Sequence, residues 1–198
     1  MERGTEATRQ ALPPALREAV DEFAHHLATV VGRSPHTVRA YTADVVSLLD
    51  HAARMGRREP AQLDLTVLRS WLARQRTRGK ARASLARHAA AARTFSVWAH
   101  RRGLAADVGA GLASPRPRRG LPSVLRQDQV DALLDGAGGA GSPEALRDRA
   151  LLELLYATGV RISELCGLDV ADVDPARRLL RVLGKGARER TVPFGLPA

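Results

Sequence analysis

Two segments in the last quarter of the sequence combine residue types that can bind a phosphodiester and transfer a proton to it. Residues 157–168 read ATGVRISELCGL, and residues 180–195 read LRVLGKGARERTVPFG. Each segment has a cation beside a glycine turn, Arg161 in the first and Lys185 in the second. A guanidinium is permanently charged and planar, so it can bond two phosphate oxygens at once. A lysine near other cations has a lowered pKa, which suits it to protonate a leaving oxygen.

Both residues also have ordinary structural interpretations. Arg161 could form a surface ion pair with Glu164 or Asp169, and Lys185 could be an exposed turn residue. Lys185 is nevertheless one of only two lysines among 31 basic residues. Arginine is a poor general acid because its pKa exceeds about 12. From the residues alone, both interpretations stay open.

Other kinds of catalytic site leave no signature in the sequence. All six histidines lie at or before position 100, and none has metal-ligand spacing with Cys166 or with paired carboxylates. Gly-x-Ser-x-Gly and the dinucleotide-binding fingerprint are absent. The glycine-rich residues 136–141 lack the Lys-Ser/Thr that ends a phosphate loop. We expect neither a metal site nor a cofactor.

Composition points to a nucleic-acid partner. The chain has 198 residues and a net charge of +10, although the 29 arginines also fit a GC-rich genome. Residues 1–120 hold 21 basic and 10 acidic groups, a net of +11, whereas residues 121–198 hold 10 and 11, a net of −1. DNA attraction should therefore lie in the first part. With one cysteine, no long apolar run and no signal-peptide pattern, we expect a cytoplasmic protein without a membrane anchor.

The first part of the chain has the pattern of a helical bundle. Apolar residues recur at helical spacing over 15–31, 35–53 and 83–101, and Thr66 can cap a further helix between them. Residues 103–122 contain seven glycines and prolines and three arginines, so they form either a solvated linker or a strap along a phosphate backbone. Tyr41 and Tyr156 both lie on apolar faces of predicted helices, which predicts that both are core residues.

The second part mixes helices with short strands. We predict helices near 127–134, 143–159 and 161–168, followed by strands at 170–174, 178–183 and 190–194. The fold class is thus mainly α with a small β-sheet. The predicted organisation is an N-terminal tail at 1–14, a helical domain at 15–102, a linker at 103–122 and a partial α+β domain at 123–198.

The paired motifs around Arg161 and Lys185 resemble the tyrosine recombinases of the phage-integrase superfamily, and in particular their XerC-like branch. Three other stretches carry the resemblance along the chain, at residues 34–41, 84–95 and 121–125. The resemblance implies that the bundle is a SAM-like core-binding domain. It also implies that residues 123–198 are the N-terminal part of the catalytic domain.

The resemblance also implies roles for individual residues. Arg161 would stabilise the transition state, Lys185 would be the general acid, and Glu164 would be structural and orient Arg161. DNA contacts would come from Ser34, His36, Thr37, Arg39, Arg78, Lys80, Arg82, Ser84 and Arg87. The implied partners are double-stranded DNA and a second, XerD-like recombinase within a tetramer. The implied process is chromosome dimer resolution, without a metal, a high-energy cofactor or a membrane.

The family's later motifs, a His-x-x-Arg, a further His or Trp and a nucleophilic tyrosine, do not occur here. No histidine follows His100 and no tyrosine follows Tyr156. We therefore expect a C-terminally truncated recombinase that binds DNA but does not cleave it. With about six phosphate contacts, DNA binding by residues 1–120 should have a log–log salt slope near −5. Alternatives are a non-catalytic DNA-binding module and a fragment that docks on an intact recombinase.

Overall fold

The computed structural model describes residues 2–113, 123–137, 141–184, 186 and 188–195. The chain divides into two compact units, Met1–Gly120 and Leu121–Ala198, here called the helical unit and the mixed unit. The architecture is mainly helical with one small sheet, as the sequence predicts. Each unit has its own cluster of buried apolar side chains.

Within residues 2–113, the helical unit contains five α-helices. They are α1 (Glu2–Gln10), α2 (Pro14–Thr29), α3 (Pro35–Arg54), α4 (Leu65–Thr77) and α5 (Arg82–Arg101), with short 3-10 turns at Pro60–Gln62 and Gly109–Gly111. Ser34 caps α3 by accepting a hydrogen bond from the Thr37 amide at 3.3 Å, and proline follows it at the first helical position. The α4 cap is Asp64 and not Thr66, because Asp64 Oδ1 accepts from the Val67 amide at 2.8 Å.

Helix α1 lies within the predicted N-terminal tail at residues 1–14. Helix α1 lies next to α3, and Arg9 binds Asp21 of α2 through Nε at 2.7 Å. Leu12, between α1 and α2, is buried in the main core. A search for apolar spacing does not find this helix, because its residues are mostly polar and the buried residue Leu12 lies two positions beyond its end.

The core of the helical unit is aromatic at its centre. Phe23 and Phe95 meet edge to face with centroids 5.3 Å apart, and Trp98 lies 5.4 Å from Phe23. Trp71 is fully buried, and its indole nitrogen donates to Ser47 Oγ at 3.2 Å. A buried aromatic needs a partner for its polar edge, so Ser47 explains how α4 can bury a tryptophan against α3.

The mixed unit begins with α6 (Gln127–Ala137) and α7 (Pro143–Thr158), followed by the single-turn α8 (Ile162–Leu165). Three antiparallel strands follow in the order β1 (Val173–Asp174), β2 (Leu179–Leu183) and β3 (Glu189–Pro193). In β2, Leu180 and Val182 are buried, and with Val160 and Leu165 they form the small core. The predicted strand at 170–174 is mostly a 3-10 turn, Val170–Asp172, because the Asp172 carboxylate accepts the Asp169 amide.

Candidate active site

A glycine turn brings Arg161 to the surface of the mixed unit. Helix α7 ends at Thr158, and Gly159 follows in the left-handed conformation with φ of 60°, which costs a glycine little. Val160 then enters the small core, so that the next residue turns outward. Arg161 is the N-cap residue of α8, and its side chain is 66% exposed. The local sequence thus fixes the backbone of Arg161 while leaving its guanidinium accessible.

Glu164 is the buried centre of this site. Its Oε2 accepts from the Arg161 amide and its Oε1 accepts from Arg161 Nη1, both at 2.8 Å. Arg190 of β3 donates Nη1 to Oε1 at 2.7 Å and Nη2 to Oε2 at 2.9 Å. These bonds, first those of Arg190 and then the Arg161 amide, lower the pKa of Glu164 from 4.5 to about 2. The carboxylate is therefore ionised at neutral pH.

The β2–β3 hairpin begins beside the same carboxylate. Residues pair in register from Leu179 with Pro193 to Leu183 with Glu189, and the Gly184 amide donates to the Arg188 carbonyl at 2.7 Å. A Cβ placed on Gly184 would lie 3.0 Å from Arg190 Nη1 and 3.5 Å from Glu164 Oε1. Lys185 itself lies outside the described residues, so its predicted convergence with Arg161 stays a prediction.

The arrangement has the charge needed to bind an anion. Two guanidinium groups share one carboxylate, which leaves a net charge of +1 at the site. Among the described residues, Arg161 uses only Nη1 of its guanidinium in hydrogen bonds, so Nε and Nη2 are available. Such a fork matches two oxygens of a phosphate. The ion pair between Arg161 and Glu164, which was the structural alternative to a chemical role, is therefore present. It uses only one nitrogen of the Arg161 guanidinium.

The two tyrosines have different environments. Tyr41 is half-buried and packs against the core of the helical unit, in agreement with its prediction as a core residue. Tyr156 is 55% exposed, and its hydroxyl donates to Gln127 Oε1 at 2.9 Å. The core prediction for Tyr156 is wrong because α7 turns this position outward, toward the start of α6.

The first group of predicted DNA contacts lies at the N-terminus of α3. Ser34, His36 and Arg39 are exposed, and Thr37 is half-buried. Ser34 and Thr37 hydroxyls are 3.0 Å apart, and Arg39 Nη2 lies 2.8 Å from His36 Nδ1. The structure brings these four residues together at the start of α3.

The second group lies between α4 and α5 and along the start of α5. Arg78, Lys80 and Arg82 are exposed, and Ser84 is half-buried. Arg87 is held more firmly than the sequence suggests, because its Nη1 donates to buried Asp44 at 2.6 Å and to the Ala40 carbonyl at 3.2 Å. Its side chain is still 42% exposed. Asp44 and Arg190 are the two partners that sequence reasoning missed.

Metal and membrane features are not found in the part of the chain that the structure describes. No three His, Cys, Asp or Glu side chains there lie close enough together to bind a metal ion. None of the helices described there is both long enough and apolar enough to cross a bilayer.

Comparison with known sequences decides the family. The profile of the phage integrase N-terminal SAM-like domain matches residues 20–103, and that of the Phage integrase family matches residues 123–198. The chain belongs to the phage integrase family. Arg161 and Glu164 lie within the range that the Phage integrase profile matches. The predicted resemblance is thereby confirmed.

The curated relatives of this integrase-family chain are tyrosine recombinases. It is 56% identical over 183 residues to the tyrosine recombinase XerC of Mycobacterium leprae, covering 90% of this chain and 61% of the relative. It is 54% identical over 187 residues to XerC of Mycobacterium tuberculosis, covering 92% and 62%. The chain thus spans a little over three fifths of these relatives, and its sequence is XerC-like.

Solved structures share the fold at low sequence identity. A lambda integrase tetramer bound to a Holliday junction has a TM-score of 0.68 at 19% identity, over 91% of this chain and 51% of that one. The Tn1549 transposon integrase in complex with circular intermediate DNA has a TM-score of 0.65 at 18% identity, over 90% and 61%. These likenesses confirm the fold class.

Proposed function

We propose that this chain acts in site-specific DNA recombination as part of a XerC-type tyrosine recombinase. In this proposal it binds duplex DNA and places Arg161 against the phosphodiester that is exchanged. The observation that carries the proposal is the Arg161 guanidinium, fixed at its backbone and at one nitrogen but 66% exposed. A cation that is already positioned needs little reorganisation when negative charge develops on the phosphate oxygens.

Lys185 is the proposed general acid of the same reaction. Attack on the phosphorus expels a 5′ oxygen, which needs a proton as the bond breaks. The preceding residue, Gly184, starts the hairpin loop, and a Cβ placed there would lie 3.5 Å from Glu164 Oε1, the oxygen that Arg161 Nη1 binds. This proximity of the loop to the Arg161 site supports a shared target for the two cations.

The helical unit is proposed to supply most of the DNA affinity. Its net charge is +11 over residues 1–120, and seven of the nine predicted contacts are exposed. Phosphate contacts from these residues position a protein on the duplex without reading its sequence. The solved integrases of the same fold are complexes with DNA, and one of them is a tetramer.

The process and the partner follow from the XerC-like sequence. We propose chromosome dimer resolution in the cytoplasm, together with a XerD-like recombinase in a tetramer on DNA, linked to chromosome partition and cell division. The support is the 52–56% identity to XerC recombinases. Pairing with a second recombinase would be tested by co-purification on a duplex that carries the chromosomal recombination site.

These 198 residues are proposed to bind DNA without cleaving it. Covalent attack needs an activated hydroxyl beside the phosphate. Tyr41 packs in the helical unit, and the Tyr156 hydroxyl donates to Gln127. Neither tyrosine has a base beside its hydroxyl in the hydrogen bonds described. A nicked duplex that traps phosphotyrosyl intermediates should yield no covalent adduct with the chain, and an adduct on a denaturing gel would contradict this part of the proposal.

DNA binding is tested by salt titration of the whole chain on a fluorescent 30-base-pair duplex. About six phosphate contacts from residues 1–120 and one from Arg161 predict a log–log slope near −6 for the whole chain. Arg161→Gln should reduce the steepness by about 0.9, which corresponds to one contact. A wild-type slope near zero would refute DNA binding, and an unchanged slope in Arg161→Gln would refute the contact made by Arg161.

A further inference from the structure

The hydrogen-bonding capacity of Glu164 is fully used. A carboxylate offers about four acceptor positions. Each Glu164 oxygen accepts one bond from Arg161 and one from Arg190. Arg190 binds in the bidentate manner, with one terminal nitrogen on each oxygen, whereas the Arg161 side chain reaches only Oε1. The Arg190 side chain therefore bonds both oxygens of Glu164, whereas the Arg161 side chain bonds one.

This unequal division determines what Arg161 can do. A bidentate pair is the geometry in which a guanidinium and a carboxylate bind most strongly. If Arg190 were absent, two acceptor positions on Glu164 would become free, and Arg161 could turn to bind both oxygens. Its charge would then be neutralised locally, and fewer of its N–H groups would be available to a phosphate.

We propose that Arg190 is a positioning residue that keeps Arg161 available for DNA by occupying both oxygens of Glu164. The proposal rests on the proposed contact between Arg161 and a DNA phosphate. Arg190 adds one cation to the Arg161–Glu164 pair, so that the site has a net charge of +1 instead of zero. It acts through Glu164 and not by contact with DNA.

The packing around Arg190 fits this role. Its side chain crosses from β3 to α8 and passes the start of the hairpin, where Gly184 leaves room for it. A Cβ at Gly184 would approach Arg190 Nη1 to 3.0 Å and the Arg188 carbonyl oxygen to 3.3 Å. The absence of a side chain at Gly184 thus leaves room for the Arg190 guanidinium to bond both oxygens of Glu164.

The neighbouring strand offers a matched control. Arg181 of β2 donates Nε and Nη2 to Asp172 Oδ1 at 3.0 and 2.9 Å. Its side chain is 55% exposed, compared with 42% for Arg190. Arg181→Gln removes the same charge from the same sheet, but it leaves Glu164 and Arg161 untouched. Any effect common to the two variants therefore reports charge alone.

The experiment is a double-mutant cycle on the salt slope of duplex binding. The whole chain is titrated on the same fluorescent 30-base-pair duplex as wild type, Arg161→Gln, Arg190→Gln, the double variant and Arg181→Gln. We expect each of the first two variants to lose about 0.9 of the slope, which is one phosphate contact. The double variant should lose the same about 0.9, because the second substitution has nothing left to remove. Arg181→Gln should keep the wild-type slope.

Other outcomes would overturn the inference. A wild-type slope in Arg190→Gln would show that Arg161 does not depend on it. A double variant that loses about 1.8 would show that Arg190 makes its own phosphate contact. An equal loss of slope in Arg181→Gln would show that the effect of Arg190→Gln comes only from the removed positive charge. If Arg161→Gln alone has no effect, the contact in the proposed function fails, which this design separates from a failure of Arg190.

Folding is controlled by circular dichroism and by a second variant. If Arg190→Gln does not fold, Arg190→Lys keeps the positive charge in a side chain that presents a point charge in place of a fork. Lysine cannot bind both oxygens as a planar pair, so the slope should still fall. A wild-type slope in Arg190→Lys would contradict the need for bidentate occupation.

Discussion

The two units use their buried groups differently. Among the described residues, 21 buried apolar side chains form the core cluster of the helical unit, and four form that of the mixed unit. The helical unit buries aromatic rings in mutual contact. The mixed unit buries the Glu164 carboxylate and leaves large apolar side chains such as Ile162 and Leu183 about 60% exposed.

This difference suggests that the helical unit contributes most of the stability and that the mixed unit holds the groups that can do chemistry. Apolar burial is the main favourable contribution to folding, so the helical unit should be the more stable of the two. A buried carboxylate costs desolvation energy unless it is fully bonded, and Glu164 meets that cost with four hydrogen bonds. In the mixed unit, buried Glu164 thus positions Arg161, whereas the other buried carboxylate described there, Glu153, lies beside Arg149.

The largest effect on stability is expected when a large buried side chain is shortened to alanine in the core of each unit. Phe95→Ala should lower the free energy of unfolding of the helical unit by about 3–5 kcal/mol, and Leu180→Ala should lower that of the mixed unit by about 2–5 kcal/mol. Both tryptophans, Trp71 and Trp98, lie in the helical unit, and the only cysteine, Cys166, is exposed in the mixed unit. Tryptophan fluorescence and a fluorophore on Cys166 thus follow the two units separately during denaturant unfolding.

Each substitution should shift only the transition of its own unit. A shift of both transitions by the same amount would show a single cooperative unit and would break the comparison. Unshifted transitions in the other unit would confirm that the two clusters are energetically separate.

The next test uses glycines with opposite surroundings. A Cβ on Gly109 would lie 2.8 Å from Ser96 Cβ and 3.0 Å from the Arg93 Cα, whereas one on Gly136 meets nothing within 4 Å. Gly109→Ala should destabilise the helical unit by about 1–3 kcal/mol through overpacking. Gly136→Ala should stabilise α6 by about 0.5–1 kcal/mol. The same two fluorescence probes measure both effects. If both substitutions changed the free energy of unfolding in the same direction, the surroundings described for these glycines would be contradicted.

Helix caps should show no difference between the units. Ser34 accepts from the Thr37 amide at 3.3 Å in the helical unit, and Ser142 accepts from the Ala145 amide at 3.2 Å in the mixed unit. Ser34→Ala and Ser142→Ala should each cost about 1 kcal/mol, because capping is local and independent of core size. Unfolding midpoints measure the cost. A much larger loss in one unit would mean that its serine has a further structural role.

The last test concerns acid and the Glu164 carboxylate of the mixed unit. The pKa of Glu164 is about 2 in the folded chain, below its ordinary value of 4.5. Its contribution to stability is therefore complete above about pH 5 and is lost as the pH falls toward 2. Unfolding followed at Cys166 should weaken over this range in wild type and less so in Glu164→Gln. Identical acid dependence in the two proteins would exclude the carboxylate as the cause.

Local sequence rules succeeded at helix ends where one residue was the clear candidate for the cap. The Ser34-Pro35 start of α3 and the Gly159 end of α7 were predictable because capping involves residues one to three positions apart. The same rules misplaced the α4 cap, since two polar residues, Asp64 and Thr66, compete within one turn. They also predicted Tyr156 in the core, because periodicity identifies a helix face without showing whether another element covers it.

The sequence by itself determined most of the helices, the small β-sheet, the basic first region and the family. Each of these depends on composition, on short-range spacing or on a motif that can be read directly. Tertiary structure alone decided that Glu164 joins Arg161 to Arg190, which lies 26 positions farther along the chain. Hairpin register and the path after α8 bring those groups together, and no periodic pattern encodes which guanidinium reaches which oxygen. The physical reason is that hydrogen bonds require specific atoms within about 3 Å, whereas sequence spacing specifies only faces and elements.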